Sequence, residues 1–521
     1  MKEKILPSAV LAILLGCYGF FLVNKIDLTT TDLGRHLKNG EVAINSVLND
    51  SKTFDQLLKS NFYSYTEVDH SFINHHFGSG MIFYLVEKFF GFQGLSLFFI
   101  ITSLITFALF FELARKNSNI IIASLTALLF IPLIAERKEI RPEIFSYLFI
   151  AVFFWILWHY RKKLISRHWL FILPIIGIIW VNLHIYFIFG LFLIGVILTE
   201  EILDRTSKNK EKVKDLFSVF ILTALGFLAQ PNGIKGILYP FNIFKEYGYR
   251  VVENQSIWFL EKIGIINNPN LLLFKITFSF LILSFIFLFF LNRKEFSLNF
   301  FILGTTFGIM AALALRNFTL FGLMALVILS YNLKKILEKT NFHPEFNKAI
   351  TIVLFLIIVG FNLVNNQQNI KDENKGLGLS FNNNASAEFF TKQNIKGPIF
   401  NNYDIGSYLI YNFFPKEKVF TDNRPEAYTN AFFQEIYIPM QEDEKKWEEQ
   451  DKKYGFNSIF FSHRDYTSWG QKFLIDRIND EKWAPVFVDQ YAIIFLKRND
   501  LNEDIIEKYE IPKNFFKEIS A

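Results

Sequence analysis

Apolar residues gather in long, almost charge-free runs over the first two thirds of the chain. Over the last quarter they fall in short runs set between polar ones. The long runs lie near 6–24, 95–113, 119–135, 143–159, 169–183, 184–199, 215–230, 271–291, 298–315, 318–333 and 350–364. A helix that crosses a bilayer needs about 20 apolar residues, so the pattern predicts about eleven transmembrane helices. Met81–Phe92 is apolar but shorter, and it holds Glu87 and Lys88, which predicts an interfacial or re-entrant helix. The N-terminus MKEKILPSAVLAILLGCYGFFLVNK has a basic start and an apolar stretch from Leu6 to Val23. That stretch is long for a signal peptide and no A-x-A site follows it, which predicts a retained first span.

Beyond residue 365 the long runs stop, and Asn and Lys rise. Residues 365–385 read as a linker. IKGPIFNNY, KVFTDNR, SIFFS, APVFVD and YAIIFLKR read as strands, the last two as a hairpin across Gln490. Ala385–Gln393, Tyr428–Ile438, Asp443–Tyr454 and Gln471–Asp480 read as helices. The fold class is therefore an α-helical polytopic membrane protein with a soluble C-terminal α/β domain. Its expected parts are a transmembrane domain over 1–364, with a first outer loop at 25–80, then the linker, then an α/β domain over 386–521.

Composition agrees with this pattern. Of 521 residues 51% are hydrophobic, 20% are charged and 64 are Phe. A soluble domain is about a quarter charged, so a soluble enzyme, a disordered chain and a nucleic-acid binder are disfavoured. The single cysteine, Cys17, permits no internal disulfide and no Cys-based metal site. The net charge of +5 says little, but its placement says more. With the N-terminus cytoplasmic and Met81–Phe92 not a span, the dense basic clusters all fall on one side. These are Arg115/Lys116, Arg161 to Arg167, Arg205 to Lys214, Arg293/Lys294 and Lys334 to Lys339. The positive-inside rule makes that side the cytoplasm. Residues 25–80, 136–142, 182–184, 230–269, 316–317 and everything after about 364 are then extracytoplasmic.

Those outer segments hold the unusual polar residues. The first opens with DLTTTDLGRHLKNGE, and NFYSYTEVDHSFINHHFGSG follows. Asp32 is placed either as a general base for an acceptor hydroxyl or as the cap of a short helix. His36, Asp69 and His76 join it as catalytic candidates, and Arg35 as a candidate for binding the substrate or donor phosphate. His75 and His76 point to different sides of any regular element, so His36 can meet one of them, as a metal pair or as hydrogen-bonded loop residues. In AERKEIRPE, Arg137, Lys138 and Arg141 lie on the side where basic residues are disfavoured. They are either phosphate ligands, since guanidinium offers a bidentate fork, or the ends of two spans. Arg316 in LALRNFTLF is a phosphate ligand or a snorkelling residue. His184 in WVNLHIYF lines a cavity or bonds a neighbouring helix. Glu253 lies in a long aromatic loop that reads as a lid or as an interfacial belt.

The order of these segments resembles bacterial GT-C-type membrane glycosyltransferases, relatives of the protein O-mannosyltransferases and oligosaccharyltransferases. TTTDLGRHLKNGE followed by FYSYTEVDHSFINHHFGSG is similar to that family's first periplasmic loop. RPEIFSYL, WVNLH, QPNGIKGILYP with ENQS, and LRNFTLF are similar to its later landmarks. NNYDIGSYLIYNFFPKEKVFTDNRPEAY is similar to the start of its outer domain. The chain departs from the family pattern at Thr30, at Gly34–Arg35 and at His76.

The resemblance implies a GT-C fold in the bacterial inner membrane. It implies a polyprenyl-phosphate-linked sugar donor and a glycan, lipid or protein acceptor. It maps the catalytic acid position onto Asp32, and Arg141 and Arg316 onto the donor phosphate. No cofactor is certain, and a divalent cation is compatible. The alternatives are a transporter or flippase for a lipid-linked glycan, and a non-catalytic envelope-assembly protein.

Overall fold

The computed structural model describes residues 2–203, 210–242, 247–264, 268–339, 353, 355–357, 359–360 and 374–516. The apolar runs from 6–24 to 318–333 all fall on helices. The remaining run, 350–364, lies largely outside the described residues.

Among the described residues, five helices are long and apolar enough to cross a membrane: Phe77–Asn117, Glu143–Arg161, Ile185–Leu203, Pro269–Leu291 and Leu315–Lys339. Four apolar helices are shorter: Ser8–Leu22, Ile120–Ile134, Arg167–Trp180 and Leu298–Leu313. The expected interfacial helix at Met81–Phe92 belongs to a helical stretch that runs from Phe77 to Asn117. Gly91 interrupts it with φ 64° and ψ −175°. Only glycine takes that conformation without strain, so the apolar pattern alone does not show the break.

The chain packs as two units. One holds 1–24, 96–230 and 250–377; the other holds 25–95, 231–249 and 378–521. The C-terminal residues thus share a unit with the first loop instead of standing alone.

In the first unit the Phe318–Lys339 helix is buried along most of its length and packs on Ile120–Ile134, Pro269–Leu291 and Leu298–Leu313. Its Gly322 approaches Ile134 so closely that an added Cβ would lie 2.9 Å from that side chain.

The second unit carries a four-stranded sheet made of β1 (Ile399–Asn401), β2 (Ser458–Phe461), β3 (Trp483–Val488) and β4 (Ile493–Lys497). The order is β1-β2-β4-β3, with β1 and β2 parallel and the other pairs antiparallel. The expected hairpin is β3–β4, with a register shift between Pro485 and Phe487. KVFTDNR is not a strand. Only Val419 makes a bridge, to Ser64. The segment turns because Asp422 binds the N–H and the guanidinium of Arg424.

Between β1 and the Gly406–Phe413 helix, burial and, second, the neighbouring Asp465 carboxylate push Asp404 up to about 7. From about pH 4 to pH 7 the folded state keeps a proton that the unfolded state releases, so stability falls as pH rises. Above pH 7 the penalty is complete. Asp404→Asn is expected to flatten this profile and to unfold at a higher temperature than wild type at pH 8. Melting curves at pH 5 and pH 8 test it, and an equal pH slope in both proteins would refute it.

Candidate functional site

Each unit carries polar residues that the sequence singled out. In the first unit they gather where two helices meet short loops. The Ile120–Ile134 helix ends, and the chain reverses through Ala135–Pro142. Pro142 and Glu143 then open the Glu143–Arg161 helix, a proline and an acid where a helix start favours both. Thr319 fixes the reversal: its hydroxyl donates to the Ile134 carbonyl at 3.0 Å and accepts the Arg137 N–H at 3.3 Å. Arg316 stands in the tight turn before Phe318–Lys339, and Glu253 in the tight turn Val252–Asn254.

These loops bring three arginines onto two carboxylates. Arg137 donates to Glu253 at 2.7 Å and to Glu143 at 3.1 Å. Arg316 donates to Glu143 at 2.7 Å and to the Asn254 side chain at 3.1 Å. Arg141 donates to Glu253 at 3.1 Å and to the exposed Glu139 at 2.8 Å. The Glu143 side chain is 5% exposed, and the three arginines are 11–16% exposed.

Burial alone would raise the Glu253 carboxyl. Arg137, Arg141 and Arg316 outweigh it and hold it at about 2. The same carboxylates raise Arg137 against its own burial. Glu253 is therefore anionic. Glu139, exposed, answers Arg141 from the outer side. The Nε atoms of Arg137 and Arg316 and the hydroxyl of Tyr147 are buried and have no hydrogen-bond partner among the described residues. Tyr147 stands one helical turn beyond Glu143, on the same face. Such a group of donors suits an anionic oxygen ligand.

Of the other expected residues here, Lys138 is half-buried in the same reversal. His184 is fully buried. Its Nδ1 lies 2.7 Å from the Ser146 hydroxyl and accepts the Tyr186 N–H at 3.4 Å, while Ser146 accepts the Trp180 indole N–H. That pattern makes Ser146 the donor to Nδ1 and leaves the ring proton on Nε2. Sequence reading passed over Glu143 and Tyr147. The signal for Glu143 was available: an acid opening an apolar helix.

In the second unit Asp32 stands at the N-cap position of the Leu33–Ser46 helix, but its side chain makes no capping hydrogen bond. Its Oδ2 instead lies 3.3 Å from His36 Nε2 and 3.5 Å from Arg35 Nη2. His36 is fully buried, Arg35 nearly so, and Asp32 is 19% exposed. The ring of His76 stands edge-on to His36, with centroids 5.4 Å apart. The ring of His75 lies 3.9 Å from that of His76 and 4.8 Å from that of Tyr239, so the two neighbouring histidines stand together instead of on opposite sides.

Glycines set this meeting. A Cβ on Gly40 would lie 2.1 Å from the Gly80 carbonyl, and one on Gly80 would lie 2.5 Å from the His36 carbonyl. Gly34 leaves room for the Ser407 carbonyl in the same way, at 2.7 Å. Asp69 is exposed in a turn and makes none of these contacts.

Asp422 and Arg424 form a buried two-pronged ion pair, at 2.7 Å and 2.6 Å. Arg424 also donates to Asn61 at 2.9 Å and lies over Phe72 and Tyr63. Among the described residues no three His, Cys, Asp or Glu side chains converge as metal ligands. Asp32 and His36 face one another as a hydrogen-bonded pair, which is not a ligand set for a divalent cation.

No family model and no curated protein sequence matches the chain. Solved structures do match. The oligosaccharyltransferase of Archaeoglobus fulgidus, tethered with an acceptor peptide containing the NVT sequon, aligns with TM-score 0.61 and 12% identity, over 95% of this chain and 74% of that one. The same organism's AglB, in complex with an inhibitory peptide and a dolichol-phosphate, aligns at 0.59 and 10%, over 98% and 75%. ArnT from Cupriavidus metallidurans, bound to undecaprenyl phosphate, aligns at 0.52 and 11%, over 98% and 99%. The chain has a GT-C fold. At these identities the GT-C likeness concerns the path of the chain and not its chemistry.

Proposed function

We propose that the chain transfers a sugar from a polyprenyl-phosphate-linked donor to an acceptor hydroxyl at the extracytoplasmic membrane face. The observation that carries this reading is the arginine cluster: three buried guanidiniums over two carboxylates, in a fold whose solved neighbours bind polyprenyl phosphates. Arg137, Arg141 and Arg316, with Lys138 beside them, hold the donor phosphate. Glu253 and His184 position that group. The acceptor oxygen attacks the anomeric carbon, the bond from that carbon to the phosphate oxygen breaks, and polyprenyl phosphate leaves with the bonding pair. Asp32 takes the hydroxyl proton. His36, with His76 against it, orients the Asp32 carboxylate, Arg35 lies beside it towards the substrate, and Asp69 stands by as an alternative base. Donor phosphate stabilisation is the larger electrostatic contribution, because charge accumulates there in the transition state.

The topology that goes with this reading has about eleven spans, a cytoplasmic N-terminus and an extracytoplasmic C-terminal part, in a bacterial inner membrane. The acceptor is a glycan, lipid or protein.

The test is sugar transfer by purified protein in liposomes, with a panel of polyprenyl-phosphate sugars. Arg141→Gln is the informative variant, because Arg141 makes no bond to the buried Glu143: it shares Glu253 with Arg137 and pairs with the exposed Glu139. It is expected to raise the donor KM roughly 10-fold, the loss of one charged hydrogen bond. Unchanged donor KM and kcat in that variant would remove Arg141 from the phosphate site. Absence of transfer with every donor in the panel would sink the reading. An arm with chelator decides whether a divalent cation takes part.

A further inference from the structure

The helix Glu143–Arg161 is about 28 Å long at a rise of 1.5 Å per residue. One end holds Glu143 of the arginine cluster, and the other holds Arg161. Two neighbours repeat this arrangement. Ile188–Leu203 follows His184 and carries Glu200 and Glu201 near its end, and Phe318–Lys339 follows Arg316 and carries Tyr331. Where these far ends meet, within the same unit, they enclose a cavity of about 370 Å³. Phe154, Trp158, Phe300 and Tyr331 form its aromatic wall.

The cavity is bordered by charges of both signs, and its acids are already answered. Arg161 bridges Glu200 at 2.6 Å and Glu201 at 2.8 Å. Glu200 also accepts from the Ser297 hydroxyl and the Asn299 N–H. Lys335 bridges Glu295 at 3.0 Å. Three lining lysines remain. Lys162, Lys212 and Lys294 have no carboxylate partner among the described residues, and Lys212 donates only to the Arg161 carbonyl, at 3.0 Å. The rim therefore carries ammonium groups that no carboxylate among the described residues neutralises.

We propose that this cavity is a second ligand site, for an anionic phosphate ester such as a membrane-lipid headgroup. The lysine distribution assigns this face to the cytoplasm. The chemistry fits on three counts. Unneutralised lysines favour a phosphate oxyanion. Basic pockets between spans on that side attract anionic headgroups. The volume suits a headgroup and is too small for a whole lipid. The proposal is independent of the transfer reaction, because it uses the opposite end of the same helices and none of the residues assigned to that reaction.

The experiment is thermal unfolding of the full chain in neutral detergent, titrated separately with short-chain phosphatidylglycerol and with glycerol phosphate. The variants are Lys162→Gln/Lys294→Gln and, as a control, Arg293→Gln. Arg293 lies next to Lys294 but does not line the cavity. Lys162, Arg293 and Lys294 are all exposed, so these changes leave the fold intact. The double variant is expected to bind roughly 10–30-fold more weakly than wild type, at the strength of two near-surface lysines. The control is expected to bind as wild type does. Binding of phosphatidylglycerol alone assigns the site to lipid; binding of glycerol phosphate as well assigns it to the phosphate ester whatever its source. Equal affinity in the double variant, an equal loss in the control, or no binding by wild type would overturn the proposal.

Discussion

Asp32→Asn is expected to slow sugar transfer by roughly 10²–10⁴-fold, the usual worth of a positioned general base, with the protein still folded. Asparagine keeps the size of the side chain and an oxygen for His36 and Arg35, which lie 3.3 Å and 3.5 Å from Asp32 Oδ2. What it loses is the negative charge and the capacity to take a proton. The effect is therefore expected in kcat, with donor KM nearly constant, because the donor phosphate is assigned to arginines elsewhere. Alternative roles for Asp32 predict different results. A mere helix cap would cost about 1 kcal/mol of stability when removed and leave turnover unchanged; its side chain makes no capping bond. Asp69→Asn run in parallel separates the two acids. Asp69 is exposed and lies outside the buried pair, so that variant is expected to retain wild-type turnover. A collapse in Asp69→Asn with normal rates in Asp32→Asn would transfer the role.

The helices were legible in the sequence, because a run of about 20 apolar residues has few other solutions in a chain this poor in charge. Positions that depend on backbone geometry were less legible. Gly91 ends one helical stretch and starts the next through a dihedral that no hydropathy pattern encodes. KVFTDNR alternates like a strand, yet the Asp422–Arg424 pair closes it into a turn.

The grouping of the first loop with the C-terminal residues was also hidden. It depends on contacts far apart in the chain. One is the bridge from Ser64 to Val419, and another is the bond from the Arg35 N–H to the Ser407 hydroxyl.

The candidate chemistry was half visible. Arg137, Arg141 and Arg316 stood out as basic residues on the side where basic residues are rare. The sequence does not say that Glu253, more than a hundred residues away from Arg137, meets two of them. It also does not choose between His75 and His76. That choice follows from the close crossing at Gly40 and Gly80, which faces His76 towards His36.

Glu143→Ala is expected to destabilise the protein by about 3–5 kcal/mol, the range for removing one partner of a buried ion pair. Glu143 is 5% exposed and accepts from both Arg137 and Arg316. Without it, Arg137 keeps only Glu253, and Arg316 keeps only the Asn254 side chain and a distant Glu253, as side-chain acceptors among the described residues, so the inner end of the cluster loses one negative charge. The Glu143–Arg161 helix also loses the acid in its first turn, a smaller cost of about 0.3–1 kcal/mol. Glu143→Gln restores one acceptor oxygen but not the charge, so it is expected to fall between wild type and Glu143→Ala. Unfolding in detergent, followed by tryptophan fluorescence, measures both. The same variant probes function. If the arginines hold the donor phosphate, an added polyprenyl phosphate supplies the missing anion, so it is expected to raise the melting temperature of Glu143→Ala more than that of wild type. Loss of stability without this rescue would leave the cluster as a structural ion-pair network. A wild-type melting temperature in Glu143→Ala would mean that Arg137 and Arg316 do not depend on its charge, and the ion-pair argument behind the phosphate site would fail with it.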